Sequence, residues 1–383
     1  MQGEPKVKSA AEALGYVLAN LVVAAGMAWA EYLLLVALVL GPRPPLAVVQ
    51  GVALAYALWI AIMAIGGLVH EAGHGLVARL LGLRLLFARL GLVQLTLIRP
   101  MRLDWNRRWL TTPFAVSFAP AATGTPRAAW GWVALGGPLA SLALAAAAAA
   151  ASSLWTSSSA TMDATLSGLA WFGLAGFAGN LIPGSNGLMR TDGGRLLAVL
   201  QRDPHLEASY LMANVVASWM EGARPRDIDD ADLARLIAFS GPSPLRALAL
   251  ALALQVARDR GEVGTERELA ATLASLVPAL SAPLRPSIEC ELAITGATQG
   301  RAQQAQQWLE AARRGRPETD DLWRAEAFVA AAAGRESEAR AALVKARAAI
   351  ARMQTRGLIA PHGEAIDRLE LDLDARLRVA TES

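Results

Sequence analysis

Long apolar runs, separated by short polar breaks, fill the first half of the chain, and a mixed, helix-periodic pattern fills the second. The first run extends from about Ala13 to Leu40 and is interrupted only by Glu31. Ala28-Trp29-Ala30 has the small-residue spacing of a signal cleavage site, but the run continues past it, beyond the ~7–15 apolar residues of a signal peptide. It therefore predicts an uncleaved membrane span. Glu31 is open to two readings, a functional intramembrane acid or an acid in the outer interface. Pro42-Arg43-Pro44-Pro45 breaks the run. A second run, about Leu46 to Leu83, would make a helix of about 57 Å against a hydrocarbon core of ~30 Å. Such a segment must tilt, kink near Gly66-Gly67 or emerge into water.

Between Leu83 and Ile98 the pattern changes to short Leu-, Val- and Thr-rich pieces broken at Gly91, which predicts a short hairpin or interfacial strands. The wider stretch to Arg127 carries seven Arg, and Trp105, Trp109, Trp130 and Trp132 suit a membrane interface. A third span is expected from about Ala128 to Ser152, where Gly136-Gly137-Pro138-Leu139-Ala140-Ser141 permits close helix approach. A fourth is expected from about Ala164 to Ile182, ending in the irregular loop Pro183-Gly184-Ser185-Asn186-Gly187. Lys6, Lys8, the seven Arg of 83–127, and Arg190, Arg195 and Arg202 all fall on one side of a four-span topology. By the positive-inside rule that side, and with it both termini, is cytoplasmic.

From about Arg202 the chain turns Ala-rich and helix-periodic. Gly300-Arg301 with Ala305, Leu309 and Ala312 recurs as Gly334-Arg335 with Ala339, Leu343 and Ala346, displaced by 34 residues. That is the period of tetratricopeptide helix pairs, and Pro317 and Trp323 suit the same pattern. The segments 243–278 and 361–378 are expected to complete the array, and an irregular helical bundle is the alternative. The expected fold is mainly α: a polytopic membrane helix bundle of about four spans with a short β hairpin after the second, followed by a soluble α-helical repeat domain. The expected boundaries are 1–200 and 201–383.

Charge sharpens this division. The chain has 36 Lys and Arg and 33 Asp and Glu, and only fourteen of these lie between Glu12 and Pro183. A single soluble globular domain, a nucleic-acid binder and a disulfide scaffold are all disfavoured, since Cys290 is the one cysteine. The expected location is a cell membrane crossed several times, such as a bacterial inner membrane, with the lipid bilayer as a partner and no nucleic acid.

Two of the four histidines form His70-Glu71-Ala72-Gly73-His74 in the second run. Positions i and i+4 share one helix face, so both imidazoles can reach one metal ion. Zinc accepts such ligands, and Glu71, not itself a ligand, can serve as general base beside it. An unpaired Glu in a membrane segment costs several kcal/mol (about 3 on insertion scales), which speaks against a purely structural role. The extended zinc-protease motif would need Gly and His where Val77 and Leu80 stand. Between Gly75 and Leu206 the acids are Asp104, Asp163, Asp192 and Asp203. Asp192, followed by Gly193-Gly194, is the best third ligand; its alternative role is an N-cap for the stretch Gly193–Leu200.

His70-Glu71-x-x-His74 in a membrane helix, the Gly137-Pro138-Leu139-Ala140 start of a later span, and Asn180-x-x-Pro183 followed by Asp192-Gly193 together resemble the site-2 protease family of intramembrane zinc metalloproteases. The resemblance covers about residues 45–200. It implies zinc held by His70, His74 and Asp192, water activated by Glu71, and a substrate-positioning or oxyanion role for Asn180. Asp192 lies nine positions after Pro183, a longer gap than is common in the family, and Gly184-Ser185-Asn186-Gly187 reads as an insertion. The implied activity is hydrolysis of a peptide bond in or near a transmembrane segment of a membrane-protein substrate. The helical tail would recruit that substrate, a cytosolic peptide or a regulator, and the segment 83–98 would pair with an unwound substrate. The competing reading is a non-proteolytic membrane scaffold with a vestigial metal site and a peptide-binding tail.

Overall fold

A computed structural model describes residues 6–39, 44–98, 101–106, 114–120, 127–155, 159–185, 190–241, 243–280, 284–315, 317 and 319–382. Pro42-Arg43 of the first break and Asn186-Gly187 of the expected insertion lie outside these. The chain divides into two compact units, Met1–Leu206 and Glu207–Ser383. The described residues are mainly helical, with one small antiparallel sheet.

The first unit holds α1 (Lys6–Val39), α2 (Pro45–Leu80), α3 (Arg127–Leu154), α4 (Ala160–Leu181) and α5 (Asp192–Leu200). Among the described residues, three segments are long and apolar enough to cross a membrane: Ala10–Val39, Leu46–Leu80 and Arg127–Leu154. They expose large apolar side chains, Leu14, Leu21, Val49 and Ile60 among them, a surface suited to lipid. The fourth expected span is α4, which forms a helix but is not among these three segments. Gly168, Gly173, Gly176 and Gly179 line its buried face, and small residues gain close contact rather than hydropathy. A Cβ at Gly179 would stand 2.9 Å from the Ala19 carbonyl of α1, and one at Gly173 2.7 Å from the Ser141 carbonyl of α3.

Of the three options for this long segment, the structure shows that α2 continues as one helix through Gly66-Gly67. The two glycines make room for aromatic rings instead: a Cβ would fall 2.2 Å from the Phe172 ring at Gly66 and 2.4 Å from the Phe114 ring at Gly67.

The expected hairpin is present within a larger sheet. β1 (Arg84–Leu90) and β2 (Val93–Thr96) are joined through Gly91, whose φ of +61° suits the first position of a type II′ turn. β3 (Arg102–Trp105) and β4 (Phe114–Ala119) extend it in the order β3-β2-β1-β4, every pair antiparallel. This corrects one expectation. β1 and β2 are each paired on both sides, so segment 83–98 has no ladder edge to offer a substrate. Among the described residues, the outer strands are β3 and β4.

The second unit contains most of α6 (Pro204–Glu221), then α7 (Asp230–Ala238), α8 (Ser243–Arg260), α9 (Val263–Leu276), α10 (Arg285–Thr298), α11 (Ala302–Gly315), α12 (Thr319–Ala332), α13 (Glu336–Ile350) and α14 (Ile359–Glu382). The bounds of α12 are those of α10 displaced by 34 residues. Gly261, Gly300 and Gly334 each follow a helix with φ of +72° to +74°. In each case the next residue's N–H returns to a carbonyl five positions earlier: Glu262 to Ala257, Arg301 to Gly296 and Arg335 to Ala330, at 2.8–2.9 Å. This is the Schellman closure, which needs a left-handed residue and so favours glycine. Ala305, Leu309 and Ala312 are buried, as are Ala339, Leu343 and Ala346 at the matching positions.

Candidate metal centre

His70 and His74 share one face of α2, and Asp192 opens α5. The structure brings all three together. Nε2 of His70 and Nε2 of His74 are 3.2 Å apart, and Asp192 Oδ2 lies 3.2 Å from the first and 3.3 Å from the second. Ligand atoms on a tetrahedral metal with bonds of about 2.0 Å stand about 3.3 Å apart. The three atoms therefore match one face of such a shell in size and in donor type, and the group could hold a metal ion. His74 and Asp192 are buried and His70 is partly so.

The supporting bonds orient each ligand. His74 Nδ1 lies 2.6 Å from the Val133 carbonyl and 3.3 Å from the Gly137 N–H. With its proton on Nδ1, His74 donates to Val133 and keeps the Nε2 lone pair for a metal; the longer contact would need the opposite tautomer. Pro138 lies within α3, where it has no N–H for the helical ladder. His70 Nδ1 donates in the same way to Ser141 Oγ at 2.9 Å. Arg195 Nη1 stands 3.8 Å from the other Asp192 oxygen.

Glycines set the clearance. A Cβ at Gly137 would fall 2.3 Å from His74 Nε2 and 2.7 Å from His70 Nε2. Gly73 and Gly136 bring α2 and α3 into backbone contact, a Cβ at Gly73 meeting the Gly136 carbonyl at 2.3 Å. A Cβ at Gly193 would fall 2.0 Å from the Leu181 carbonyl, so α5 begins hard against the end of α4.

The alternative role for Asp192 falls to its neighbour. Thr191 is the N-cap of α5, its Oγ1 accepting from Gly194 N at 3.1 Å. Thr191 Oγ1 also donates to the Ile182 carbonyl at 2.7 Å, and Thr191 N donates to the Gly184 carbonyl at 3.0 Å. Ser185 and Arg190 pair as an isolated bridge. The loop between α4 and α5 is thus closed at its base, and Asp192 reaches the histidines. The other acids are placed elsewhere: Asp203 pairs with Arg190 at 2.6 Å, Asp163 lies in the first turn of α4, and Asp104 faces Gln94 across β2–β3.

Glu71 Oε2 accepts the Val116 N–H of β4 at 2.8 Å. That N–H points away from β1, so the unpaired edge of β4 faces the carboxylate. Asn180 is not part of this cluster: its Nδ2 donates to the Gly176 carbonyl, four residues back on its own helix, at 2.8 Å. Reasoning from sequence missed Ser141, Val116 and Thr191. Ser141 carried a readable signal, since it lies four residues beyond Gly137 and thus on the same helix face. The Val116 bond is made by backbone and leaves no trace in residue type. Comparison with known protein families, with curated proteins and with solved structures finds no match for this chain.

Proposed function

We propose that the first unit is an intramembrane zinc endopeptidase resembling the site-2 protease family, which hydrolyses a peptide bond in or near a transmembrane segment of a membrane protein. One observation carries this reading. Two histidines and an aspartate present ligand atoms 3.2–3.3 Å apart, beside a carboxylate one residue from His70, on a helix apolar enough to cross a membrane. Nitrogen and oxygen donors in that triangle suit zinc in a site with one face open. α4 would serve as a fourth span, and the Arg distribution supports cytoplasmic termini.

His70, His74 and Asp192 would hold the ion, with Ser141 and Val133 fixing the imidazoles. Bound zinc would supply Lewis acidity toward the scissile carbonyl. Glu71 takes a proton from the attacking water and delivers it to the leaving amine. The Val116 N–H holds the carboxylate in place during both transfers. A substrate helix hides its carbonyls in its own hydrogen bonds and must unwind before attack. The free edge of β4, directly beside Glu71, can accept the unwound strand by β-augmentation. The second unit, read as a tetratricopeptide-like repeat domain, would recruit substrate or a regulator.

The test is cleavage of a co-expressed library of single-span membrane proteins by wild type and by Glu71→Gln. Loss of cleavage with zinc still bound supports the proposal. Undiminished cleavage in the variant refutes it.

A further inference from the structure

The sides of α5 differ in character. Leu196 and Val199 lie against α3, where a Cβ at Gly131 would meet Val199 Cγ1 at 3.4 Å and Leu196 Cδ1 at 3.5 Å. Leu197 and Leu200 point elsewhere and are exposed, Leu200 by 72%. At about 100° per residue, Arg195 falls on the side opposite those two. An apolar outward side with a basic residue behind it is the distribution of a helix that lies in a membrane surface. The 9 residues of α5 make about 14 Å of helix, too short for the ~30 Å core. Its level along α3 agrees. Gly131 is near the start of α3, one of the three helices apolar enough to cross a membrane. Beside it Trp132 is 58% exposed, the kind of side chain that gathers where a span meets the headgroups. Leu139, seven residues on and so on the same face of α3, is also exposed. The apolar surface of α5 therefore sits at the end of a lipid-suited face.

The residue that closes α5 is unusual. Arg202 has a φ of +54°, and among the described residues every other positive φ belongs to glycine. Arg202 is the left-handed residue of a Schellman closure: Asp203 N donates to the Ala198 carbonyl at 2.9 Å, and Arg202 N to the Val199 carbonyl at 3.2 Å. Glycine adopts this conformation at lower cost. The Arg202 side chain is exposed, and no hydrogen bond or ion pair engages it among the described residues. The nearby Asp203 is taken by Arg190 at 2.6 Å. A strained arginine with an uncommitted charge thus stands two residues beyond Leu200.

We propose that α5 and Arg202 form a seat for an anionic phospholipid, with Leu197 and Leu200 at the acyl-chain boundary and the Arg202 guanidinium on the headgroup phosphate. A guanidinium fork matches phosphate in geometry, and the exposed leucines continue the apolar face that Trp132 and Leu139 begin. Asp192 opens the same helix, so the lipid surface would hold from outside the element that α3 and α4 hold from inside. The proposal rests on reading the three apolar helices as membrane spans. It does not depend on zinc or on proteolysis.

The test uses the full chain in two settings. In phosphatidylcholine–phosphatidylglycerol nanodiscs, nitroxides are placed at Leu197→Cys and Leu200→Cys after Cys290, the single cysteine, is changed to Ala. Ile60→Cys on α2 and Val344→Cys on α13, both exposed, are the lipid and water references. Collisions with oxygen should exceed those with a nickel chelate at 197, 200 and 60, and the order should reverse at 344. If 60 lies in lipid while 197 and 200 lie in water, this proposal alone is overturned; if all three lie in water, the membrane reading falls with it. In nonionic detergent, fluorescent phosphatidylglycerol should bind wild type about fivefold more tightly than Arg202→Gly, the effect of one basic residue at an anionic surface. The melting temperature of Arg202→Gly should rise, because glycine relieves the left-handed φ. Equal lipid affinity in the two proteins overturns the proposal. Glycerol phosphate should fail to compete; if it displaces the lipid at matching concentration, the site takes a free phosphate and the lipid seat is overturned.

Discussion

Gly137→Ala tests the geometry of the metal centre with a single methyl group. The added carbon would stand 2.3 Å from His74 Nε2 and 2.7 Å from His70 Nε2, where non-bonded contact settles at about 3.5 Å. The shortfall is about 1 Å at each ligand atom. Backing α3 away from α2 would relieve it only by giving up the backbone contact of Gly73 with Gly136. The imidazoles would therefore move instead, breaking a triangle whose edges are now 3.2–3.3 Å. Metal sites tolerate distance errors of about 0.2 Å, and removing merely a supporting bond costs about 10–100-fold in metal affinity. Displacing two ligands by five times that tolerance should cost at least about 100-fold, or about 2.7 kcal/mol. The assay is competition for zinc against a chromophoric chelator on protein purified in detergent, alongside thermal unfolding. Gly75→Ala is the control. It lies on α2, next to His74, and its Cβ would meet only Val116 Cγ1 at an ordinary 3.8 Å. It should leave metal affinity unchanged. If Gly137→Ala bound zinc as tightly as wild type, these three side chains would not be the ligands.

Other outcomes follow from single contacts. Ser141→Ala removes the acceptor for His70 Nδ1 and should weaken zinc binding about 10–100-fold with the helices intact by circular dichroism; an unchanged affinity would mean that Ser141 plays no part in orienting the ligand. Asp192→Asn should abolish stoichiometric metal measured by elemental analysis, whereas Asp203→Asn, which loses only the Arg190 pair, should retain it. In the second unit, burial raises the Asp259 pKa, but Arg224 and Arg226 outweigh it and hold the carboxyl at about 2. A depressed pKa contributes stability that is full above the ordinary Asp range and lost as pH falls through the folded value. Denaturation of wild type should thus become easier between about pH 4 and pH 2, and Asp259→Asn should flatten that dependence; an equal slope in the variant would rule out this pair of ion pairs as its source.

What was legible in the sequence depended on whether a feature is written in side chains or in backbone. His70, Glu71 and His74 declare themselves, because a helix converts a spacing of four into a shared face. Asp192 could be chosen because so few acids populate the first half of the chain that each could be weighed by itself. The left-handed closures at Gly300 and Gly334 were visible as a repeated Gly-Arg pair, since no other residue adopts that φ as cheaply. The sheet was only half legible. β1 and β2 flank Gly91 and are rich in apolar residues, but β3 is a four-residue strand, Arg-Leu-Asp-Trp, in a stretch whose Arg content reads as loop. Pairing with β2 makes it a strand, and that partner is not encoded in its own residues. α4 misled in the opposite direction. Its buried face is made of the glycines that let α1 and α3 approach it, and it is not among the three segments long and apolar enough to cross a membrane. The same logic reaches the carboxylate proposed as the general base. Glu71 is read from the motif, but what holds it is the Val116 N–H, and that donor is available only because β4 lies at the edge of the sheet with one side unpaired. A strand added outside β4 would compete for the bond that positions Glu71, so a substrate that pairs there must leave Val116 to the carboxylate and use the flanking positions of the strand.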